Sequence, residues 1–297
     1  MKIYRTDQHP LPLPDGHRFP MIKYRLLYEA VHAFAAPLIL EAPAASDAEL
    51  SAAHTPDYLH KLATGTLSKA EERAIGLPWS AELVTRSRYS VGATLAACRT
   101  ALLEGCGATL AGGTHHAYAD RGSGFCVFND SAVALKVLLA EGAIQRALVI
   151  DLDVHQGNGT AATLADRLAL FTFSMHGLNN FPFQKETSDW DIELDDGTGD
   201  ADYLATLAGT LPQLFTLAHP DLVIYLAGAD CYAGDRLGKL ALSKDGLARR
   251  DALVLDACAR FGVPVALTMG GGYATPISDT VAIQAMTIQL AVNRFSR

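Results

Sequence analysis

Three side chains that can bind a metal alternate along one short segment, Asp151-Leu-Asp153-Val-His155. Because side chains alternate with a period of two along an extended chain, all three point to the same side. With Asp230 from another segment, Asp153 and His155 would make a three-ligand site for a divalent metal. Such a site leaves a coordination position open for water or a carbonyl oxygen, as catalytic zinc sites do. The alternative is an ordinary strand end whose aspartates cap the helix after Gly157.

Two adjacent histidines, His115 and His116, form the second group of candidate residues. Adjacent side chains at a strand end point in different directions, so we do not expect the pair to bind one ion together. Beside a metal they suit proton transfer, with one accepting a proton from water and the other orienting and balancing charge. Each imidazole then needs a partner for its second ring nitrogen, for which Asp151 and Asn158 are candidates. The alternative is a pair of hydrogen-bonded core histidines.

Three aromatic features could complete a site of this kind. Tyr273 follows three glycines and could donate its hydroxyl proton to a developing oxyanion. Residues 122–126 and 181–183 are loops with aromatic rings that could line a channel for a substrate. Each feature also has a plain structural interpretation, a turn that ends in a packed ring.

The candidate residues follow short apolar segments that alternate with amphipathic helical patterns. The predicted strands are 108–111, 147–150, 168–173, 222–226 and 263–269. The predicted helices are 81–103, 131–141, 202–218, 244–261 and 277–292. Continuous apolar strands alternating with helices are typical of a parallel sheet covered on both faces. We therefore predict a single α/β domain over residues 1–297, with a central, mostly parallel sheet flanked by helices.

The position of the candidate residues along these elements is the strongest signal in the sequence. Ligands of open parallel sheets bind beyond the carboxyl ends of the strands, and each candidate follows such an end. The sequence therefore predicts that they meet at one edge of the sheet. The first hundred residues are mostly helical in pattern and are expected to cap a sheet edge. Residues 189–200 lack the spacing of a calcium loop and are expected to form a solvated edge strand.

Composition excludes several classes of protein. The chain has 297 residues, of which 49% are hydrophobic and 19% charged, as expected for a globular protein. A net charge of −8 without a basic run disfavours nucleic-acid binding, although it could attract a basic peptide or a cationic substrate. Five cysteines without a CxxC pair indicate free thiols in a reducing compartment. We see no secretory signal or membrane-spanning segment, and we expect a cytoplasmic protein.

Common enzyme motifs are missing from the sequence. There is no GxGxxG or GxxxxGK[ST] loop, so nucleotide binding has no support. There is also no GxSxG elbow, which removes the usual serine hydrolase interpretation.

As a set, the motifs resemble those of the zinc-dependent histone deacetylase family of the arginase–deacetylase superfamily. The resemblance covers nearly the whole chain, and the motifs occur in the order of the family. Finer details are similar to the class IV branch, including Gln156 where most relatives have a second histidine. The matching stretches are Gly113-Thr-His-His116, Gly124-Phe-Cys126, Asp151-Leu-Asp-Val-His155, Gly228-Ala-Asp230 and Gly271-Gly-Tyr273.

The resemblance implies a role for each catalytic residue. It implies hydrolysis of an acyl-lysine amide with one zinc ion per chain and a general acid–base pair. Asn158 departs from the aspartate of class I enzymes, so we expect its partner His116 to be less basic. The implied zinc ligands are Asp153, His155 and Asp230. The implied catalytic residues are His115, His116, Tyr273, Asp151 and Asn158.

The resemblance also implies contacts with an acylated lysine of a protein or peptide. Phe125 and Phe181 would flank the acyl-lysine channel, and the carbonyl of Gly124 would accept the amide proton of the substrate. Leu237 and Gly271 complete the expected substrate contacts. A potassium ion held by backbone carbonyls is a further possibility, for which Ser174 is the one matching side chain. The entrance segment 15–24 does not match class I enzymes.

Three other functions use related chemistry. A binuclear manganese ureohydrolase needs more carboxylates, whereas here Asp230 and Asp235 are five residues apart with Gly234 between them. Acylpolyamine hydrolases place an acid at the channel mouth, where this chain has Arg236 and Leu237. The third alternative is an acyl-lysine binding module without turnover.

The length of the acyl group is a separate expectation. Class IV relatives resemble fatty-acyl-lysine hydrolases, and the glycines at 112, 113 and 270–272 leave volume that methylene groups could fill, beside residues such as Met175. Each buried methylene contributes about 0.8 kcal/mol at best. We therefore expect decanoyl- or myristoyl-lysine to be better substrates than acetyl-lysine, and a bulky residue at Gly270 to suppress the long ones.

Overall fold

One sheet of eight parallel strands organises the computed structural model, which describes residues 1–14 and 16–296. Its order is β2-β1-β3-β8-β7-β4-β5-β6, and every neighbouring pair is parallel. The strands are β1 Lys2–Arg5, β2 Ile39–Glu41, β3 Cys106–Thr109, β4 Ala147–Asp151, β5 Leu170–Gly177, β6 Trp190–Leu194, β7 Leu222–Leu226 and β8 Val265–Thr268. The predicted α/β fold with a central parallel sheet is confirmed.

Helices cover both faces of this sheet. One face carries α1, α8, α9 and α10, and the other carries α5 and α6 with shorter helices around them. Within the described ranges, no helix combines the length and the apolar character needed to cross a membrane. The helices are α1 Ile22–Ala35, α2 Asp47–Ser51, α3 Pro56–Thr64, α4 Lys69–Ile75, α5 Ala81–Glu104, α6 Asp130–Ala140, α7 Asn158–Leu164, α8 Asp200–Ala218, α9 Lys244–Phe261 and α10 Ile277–Phe295.

Strand β4 shows why the chain forms a two-sided sheet. All five of its residues are buried. Leu148 and Ile150 belong to the apolar core on one face, whereas Ala147 and Val149 belong to the core on the other. Because alternate side chains point to opposite faces, a continuous apolar strand needs helices on both sides. The strand thus carries Asp151 and the residues after it into the interior.

Long helix α5 has well-defined ends. The Ser80 side chain accepts a hydrogen bond from the N–H of Leu83, and Gly105 ends the helix in the left-handed conformation. The helix packs against β3 and β8, so its buried side chains lie beneath the strands that carry His115, His116 and Tyr273.

The five predicted helices and five predicted strands are all present; the bounds of α9 and β7 coincide with the prediction, and the other elements have shifted ends. The predicted strand 168–173 is displaced: β5 begins at Leu170, because Leu168 is a fully exposed turn residue, and it continues to Gly177. The expected edge strand within 189–200 is β6. The expectation for the first hundred residues was incomplete, because β1 and β2 there form the sheet edge itself. These strands have only four and three residues, too short for a clear pattern.

All five cysteines are free and buried, as expected from their spacing. Burial raises the pKa of Cys98, Cys126 and Cys258 far above the ordinary thiol value. These thiols therefore stay protonated and behave as small apolar side chains.

Candidate active site

The strand order brings the candidate residues together. Strands β3, β8, β7 and β4 are consecutive neighbours, so the loops after their carboxyl ends meet at one edge. These loops carry the histidine pair, Tyr273, Asp230, and the Asp153–His155 segment, respectively. The predicted convergence is confirmed for every one of these loops.

Asp153, His155 and Asp230 form a cluster that could hold a metal ion. Their ligand atoms lie within 4.8 Å of one another, and no other such group occurs among the described residues. His155 Nδ1 lies 2.9 Å from Asp153 Oδ1 and 3.3 Å from Asp230 Oδ2. The Oδ2 atom of Asp230 is buried and accepts no hydrogen bond. One nitrogen and two carboxylates with an unsatisfied buried oxygen fit a divalent cation with an open position.

The electrostatics of this cluster also favour a cation. Burial and then the charge of Asp153 raise the pKa of Asp230 to about 7. Burial alone would lower the pKa of His155, but its interactions with Asp153 and Asp230 raise it to about 10. Two desolvated carboxylates therefore demand positive charge beside them, which a divalent metal satisfies.

Two glycines let the backbone approach the metal-ligand candidates closely. The Gly271 N–H donates to Asp153 Oδ2 at 2.6 Å. A Cβ atom at Gly271 would lie 1.8 Å from Asp230 Oδ2, and one at Gly270 would lie 2.7 Å from Asp153 Oδ2. The expectation that the glycines leave volume for an acyl chain is wrong, because carboxylates and backbone already fill it. A bulky residue at Gly270 would disturb Asp153 and cannot test chain length. The same holds for Gly112, Gly113 and Gly272, where a Cβ would lie 2.4–2.7 Å from another atom.

Two buried charged residues hold the strand ends, and sequence reasoning missed both. Arg250 on α9 donates to the carbonyls of Leu152 at 3.2 Å and Gly228 at 2.6 Å, and so joins the loops after β4 and β7. Asp130 accepts the backbone N–H groups of 113–114, directly before the histidine pair. Each is distant in sequence from the residues that it positions, so no local pattern revealed it.

The histidine pair has the expected partners. His115 Nδ1 lies 2.7 Å from Asp151 Oδ2, and His116 Nδ1 lies 2.7 Å from Asn158 Oδ1. Burial lowers the pKa of His115, but the charges of Asp151 and Asp153 outweigh it and raise the pKa to about 9. Burial and then the charge of His115 hold the pKa of His116 well below its usual value. His116 is thus weakly basic, as expected, but for a different reason: the hydrogen bond with Asn158 raises its pKa, and burial and the neighbouring charges outweigh it.

A chain of hydrogen bonds fixes the protonation of His116. Tyr118 donates its single hydroxyl proton to Glu186 at 3.1 Å, so the amide nitrogen of Asn158 must donate to Tyr118, at 2.9 Å. The amide oxygen of Asn158 therefore faces His116 and accepts its Nδ1 proton. In the neutral imidazole this leaves Nε2 unprotonated and able to act as a base.

We expect Tyr118→Phe to lower kcat by about tenfold and leave KM nearly unchanged. Without the phenol, the Asn158 amide can rotate and present its NH₂ group to His116, which favours the wrong tautomer. Steady-state kinetics on an acyl-amide substrate measures the effect. Tyr232→Phe, which removes a hydroxyl outside the cavity, is the matched control. Equal kcat in wild type and Tyr118→Phe would contradict this role.

Tyr273 is held by its backbone. Its N–H donates to Asp235 Oδ2 at 2.6 Å, and its carbonyl accepts from Arg236 Nε at 3.0 Å. Burial raises the pKa of the phenol well above its usual value, so the hydroxyl stays protonated. Asp235 also accepts the N–H groups of Leu237 and Gly238 and shapes this loop. Sequence reasoning did not predict this role for Asp235.

The site lies in a cavity of about 750 Å³. Its wall includes the predicted substrate contacts Gly124, Phe125, Phe181, Leu237 and Gly271. The Phe181 ring meets His116 edge-on with centroids 4.9 Å apart, and the Phe125 ring lies 6.1 Å from that of Tyr273. Phe125 has a φ of 66°, which is strained for a bulky residue and typical of functional sites. Both aromatic loops therefore reach the site.

Ser174, the one side chain matched to a potassium site, lies inside β5. Its Oγ is 2.9 Å from His176 Nδ1. The potassium site stays a prediction.

Comparisons with known proteins agree with this geometry. A family model described as a histone deacetylase domain matches residues 17–289. The chain is 46% identical over 282 residues to an uncharacterized protein of Picosynechococcus sp., and 94% of each chain is covered. It is 32% identical over 253 residues to histone deacetylase 2 of Arabidopsis thaliana, covering 82% of this chain and 65% of that protein. Acetoin utilization protein AcuC of Bacillus subtilis is 31% identical over 260 residues, with 80% and 67% covered.

Solved structures show the same fold. A histone deacetylase homologue from Aquifex aeolicus superposes with a TM-score of 0.82 at 24% identity, over 98% of this chain and 83% of that one. A homologue complexed with SAHA gives a TM-score of 0.81 at 25% identity, over 97% and 83%. The fold and the site thus define a metal-dependent hydrolase of acyl amides. The chain belongs to the histone deacetylase family.

Proposed function

We propose that this protein is a zinc-dependent hydrolase that removes acyl groups from lysine ε-amines of proteins. The observation that carries the proposal is the Asp153–His155–Asp230 cluster, set beside the paired histidines and Tyr273 in one deep cavity. Membership of the histone deacetylase family supports acyl-amide hydrolysis. The catalytic unit would comprise residues 1–297 and hold one zinc ion; its cytoplasmic location stays a prediction.

The chemistry uses the chain's own groups around the reacting amide. When bound by the three ligands, zinc supplies Lewis-acid polarisation and makes water more acidic. His116 Nε2 accepts a proton from the attacking water, while the contact of His115 with Asp151 balances the charge. Tyr273 donates a hydrogen bond to the carbonyl oxygen as negative charge develops there.

Cleavage completes the proton transfers. A bond forms between the water oxygen and the acyl carbon, and the carbon–nitrogen bond breaks. His116 returns its proton to the departing amine, which gives a carboxylate and a free lysine. Phe125 and Phe181 would enclose the lysine side chain, and the Gly124 carbonyl would orient the amide.

Two of the alternative functions lose support from the site. Asp235 already accepts three backbone N–H groups, so it is not available as a ligand for a second metal. The cavity mouth carries exposed cations that would repel a polyamine. These are Arg18, Arg73 and Lys239.

A series of acyl-lysine peptides from acetyl to myristoyl tests the proposed function and its chain length. We expect kcat/KM to be higher for decanoyl- or myristoyl-lysine than for acetyl-lysine, because Leu11, Leu83 and Phe128 give the cavity apolar walls. Ser87→Phe should suppress the long substrates selectively, since Ser87 lines the same cavity. A preference for acetyl-lysine would contradict the chain-length prediction and leave the proposed function intact. Failure to hydrolyse every peptide would contradict the proposed function.

A further inference from the structure

Two buried cations line the inner part of the catalytic cavity. Lys23 on α1 is 3% exposed, and Arg86 on α5 is 6% exposed. Tyr24 and Ser90 line the same cavity, and we call these four residues the inner chamber. It is part of the same cavity as the site.

Neither cation has an acidic partner among the described residues. Lys23 Nζ lies 3.4 Å from the carbonyl of Gly272 and 5.3 Å from the centre of the Tyr273 ring. Arg86 Nη1 donates to the carbonyls of Thr6 and His9, and its Cζ lies 4.1 Å above the Tyr24 ring. Among the described residues, these two charges therefore have neutral carbonyls and ring faces as their polar partners.

No carboxylate of the cavity is available to them. The acidic side chains in the described cavity wall are Asp153 and Asp230, the metal-ligand candidates. Lys23 also lies in the first turn of α1, which has no acidic residue and no side-chain cap. The positive end of the helix dipole adds to its charge. Because unpaired buried charge is strongly unfavourable, this arrangement calls for an anionic ligand.

The position of the chamber indicates how an anion arrives. Lys23 is next to the ring of Tyr273, the residue that would contact the acyl carbonyl. An acyl group that projects past Tyr273 would therefore bring its far end to Lys23. Arg86 lines the same cavity and, like Lys23, faces the Tyr24 ring. A carboxylate suits both, because guanidinium and ammonium groups form charge-assisted hydrogen bonds with it.

We propose that the inner chamber binds the terminal carboxylate of a dicarboxylic acyl group, so that the enzyme hydrolyses succinyl- or glutaryl-lysine. This inference rests on the proposed function and adds that the far end of the acyl group carries a negative charge. Water adds its oxygen to the amide carbon, the carbon–nitrogen bond breaks, and the products are the dicarboxylate and the lysine amine. No oxidant or co-substrate is needed.

The test compares acyl groups that differ in charge alone. Succinyl- and glutaryl-lysine peptides are each matched with the peptide whose terminal carboxylate is replaced by a primary amide. In wild type, kcat/KM should favour the carboxylate by about tenfold or more, as expected for a buried charge-assisted hydrogen bond. Lys23→Met should bring this ratio close to one, and Lys23→Arg should restore most of it. Lys239→Met, which removes a cation at the mouth of the same cavity, should leave the ratio unchanged.

Two results would overturn the inference while leaving the proposed function intact. One is that the enzyme hydrolyses the neutral amide peptides and that kcat/KM for each carboxylate peptide is no higher than for its matched amide peptide. The other is a high ratio that survives Lys23→Met.

A binding experiment needs no turnover and separates substrate from free acid. Calorimetry should detect glutarate binding to wild type and a loss of at least tenfold in affinity in Lys23→Met. No glutarate binding to wild type would overturn the inference even if every peptide were inert. If glutarate binds but kcat/KM is no higher for glutaryl-lysine than for its amide, the chamber binds the free acid and not the end of the substrate acyl group. That result would also overturn the inference.

Discussion

Replacement of Asp230 by asparagine is expected to remove the bound metal and to lower kcat/KM by on the order of 10³-fold or more. The Oδ1 atom of Asp230 accepts the N–H of Val154 at 3.0 Å, and asparagine can keep that bond. The Oδ2 atom is buried and accepts no hydrogen bond, and the substitution turns it into an amide donor that a cation cannot use. Metal content per chain and peptide hydrolysis measure the two effects, and the fold should persist.

Asp235→Asn is the matched control for this experiment. Asp235 lies on the same loop, yet it holds backbone N–H groups and is absent from the metal cluster. We expect one metal per chain in wild type and in Asp235→Asn, with lower activity in the variant because Tyr273 loses its anchor. Undiminished metal in Asp230→Asn would refute the ligand assignment. Two metals in wild type, one of them lost with Asp235, would favour the binuclear alternative.

The sequence predicted the candidate active-site residues at the sheet edge well, because each of these residues follows the end of a strand. The alternation at 151–155 and the position of Asp230 after β7 required no knowledge of distant contacts. In a parallel sheet, the carboxyl ends of neighbouring strands lie at the same edge and therefore bring such residues together. For this reason the sequence could predict the metal-ligand cluster and the hydrogen-bond partner of each histidine.

Other residues could not be found in this way, because their roles depend on contacts across the fold. Arg250 follows another arginine in α9 and has the pattern of a solvent-facing position, yet it is fully buried and joins two loops. Lys23 and Arg86 come from helices on opposite faces of the sheet, and both line the cavity. Edge strands β1 and β2 were missed because they are too short to show a pattern.

The glycine motifs illustrate a different limit of sequence reasoning. A glycine before Tyr273 is compatible with open volume and with close packing, and the sequence alone does not distinguish them. The structure does, since a Cβ at Gly271 would overlap the Asp230 carboxylate. Side chains of α1 and α5 form another part of the cavity wall. We therefore expect variants on those helices, rather than at the glycines, to change the preferred acyl group.

Tyr273→Phe is expected to lower kcat by roughly 10²–10³-fold, the usual effect of losing one donor to a developing oxyanion. The backbone bonds to Asp235 and Arg236 do not involve the hydroxyl, so the ring should keep its place. Because burial keeps the phenol protonated, the hydroxyl can donate throughout the neutral pH range. Since the hydroxyl acts as charge develops on the carbonyl oxygen, KM should change much less than kcat.

The variant His116→Ala separates this role from proton transfer. It removes the base for water and the acid for the departing amine, so its loss of kcat should be at least as large as that of Tyr273→Phe. An ester analogue of the substrate, whose leaving group needs less protonation, should recover more activity in His116→Ala than in Tyr273→Phe. The donor to the oxyanion is needed for either leaving group. Near-normal kcat in Tyr273→Phe would show that the ring only packs against Phe125, and the polarising role would then be lost from the mechanism.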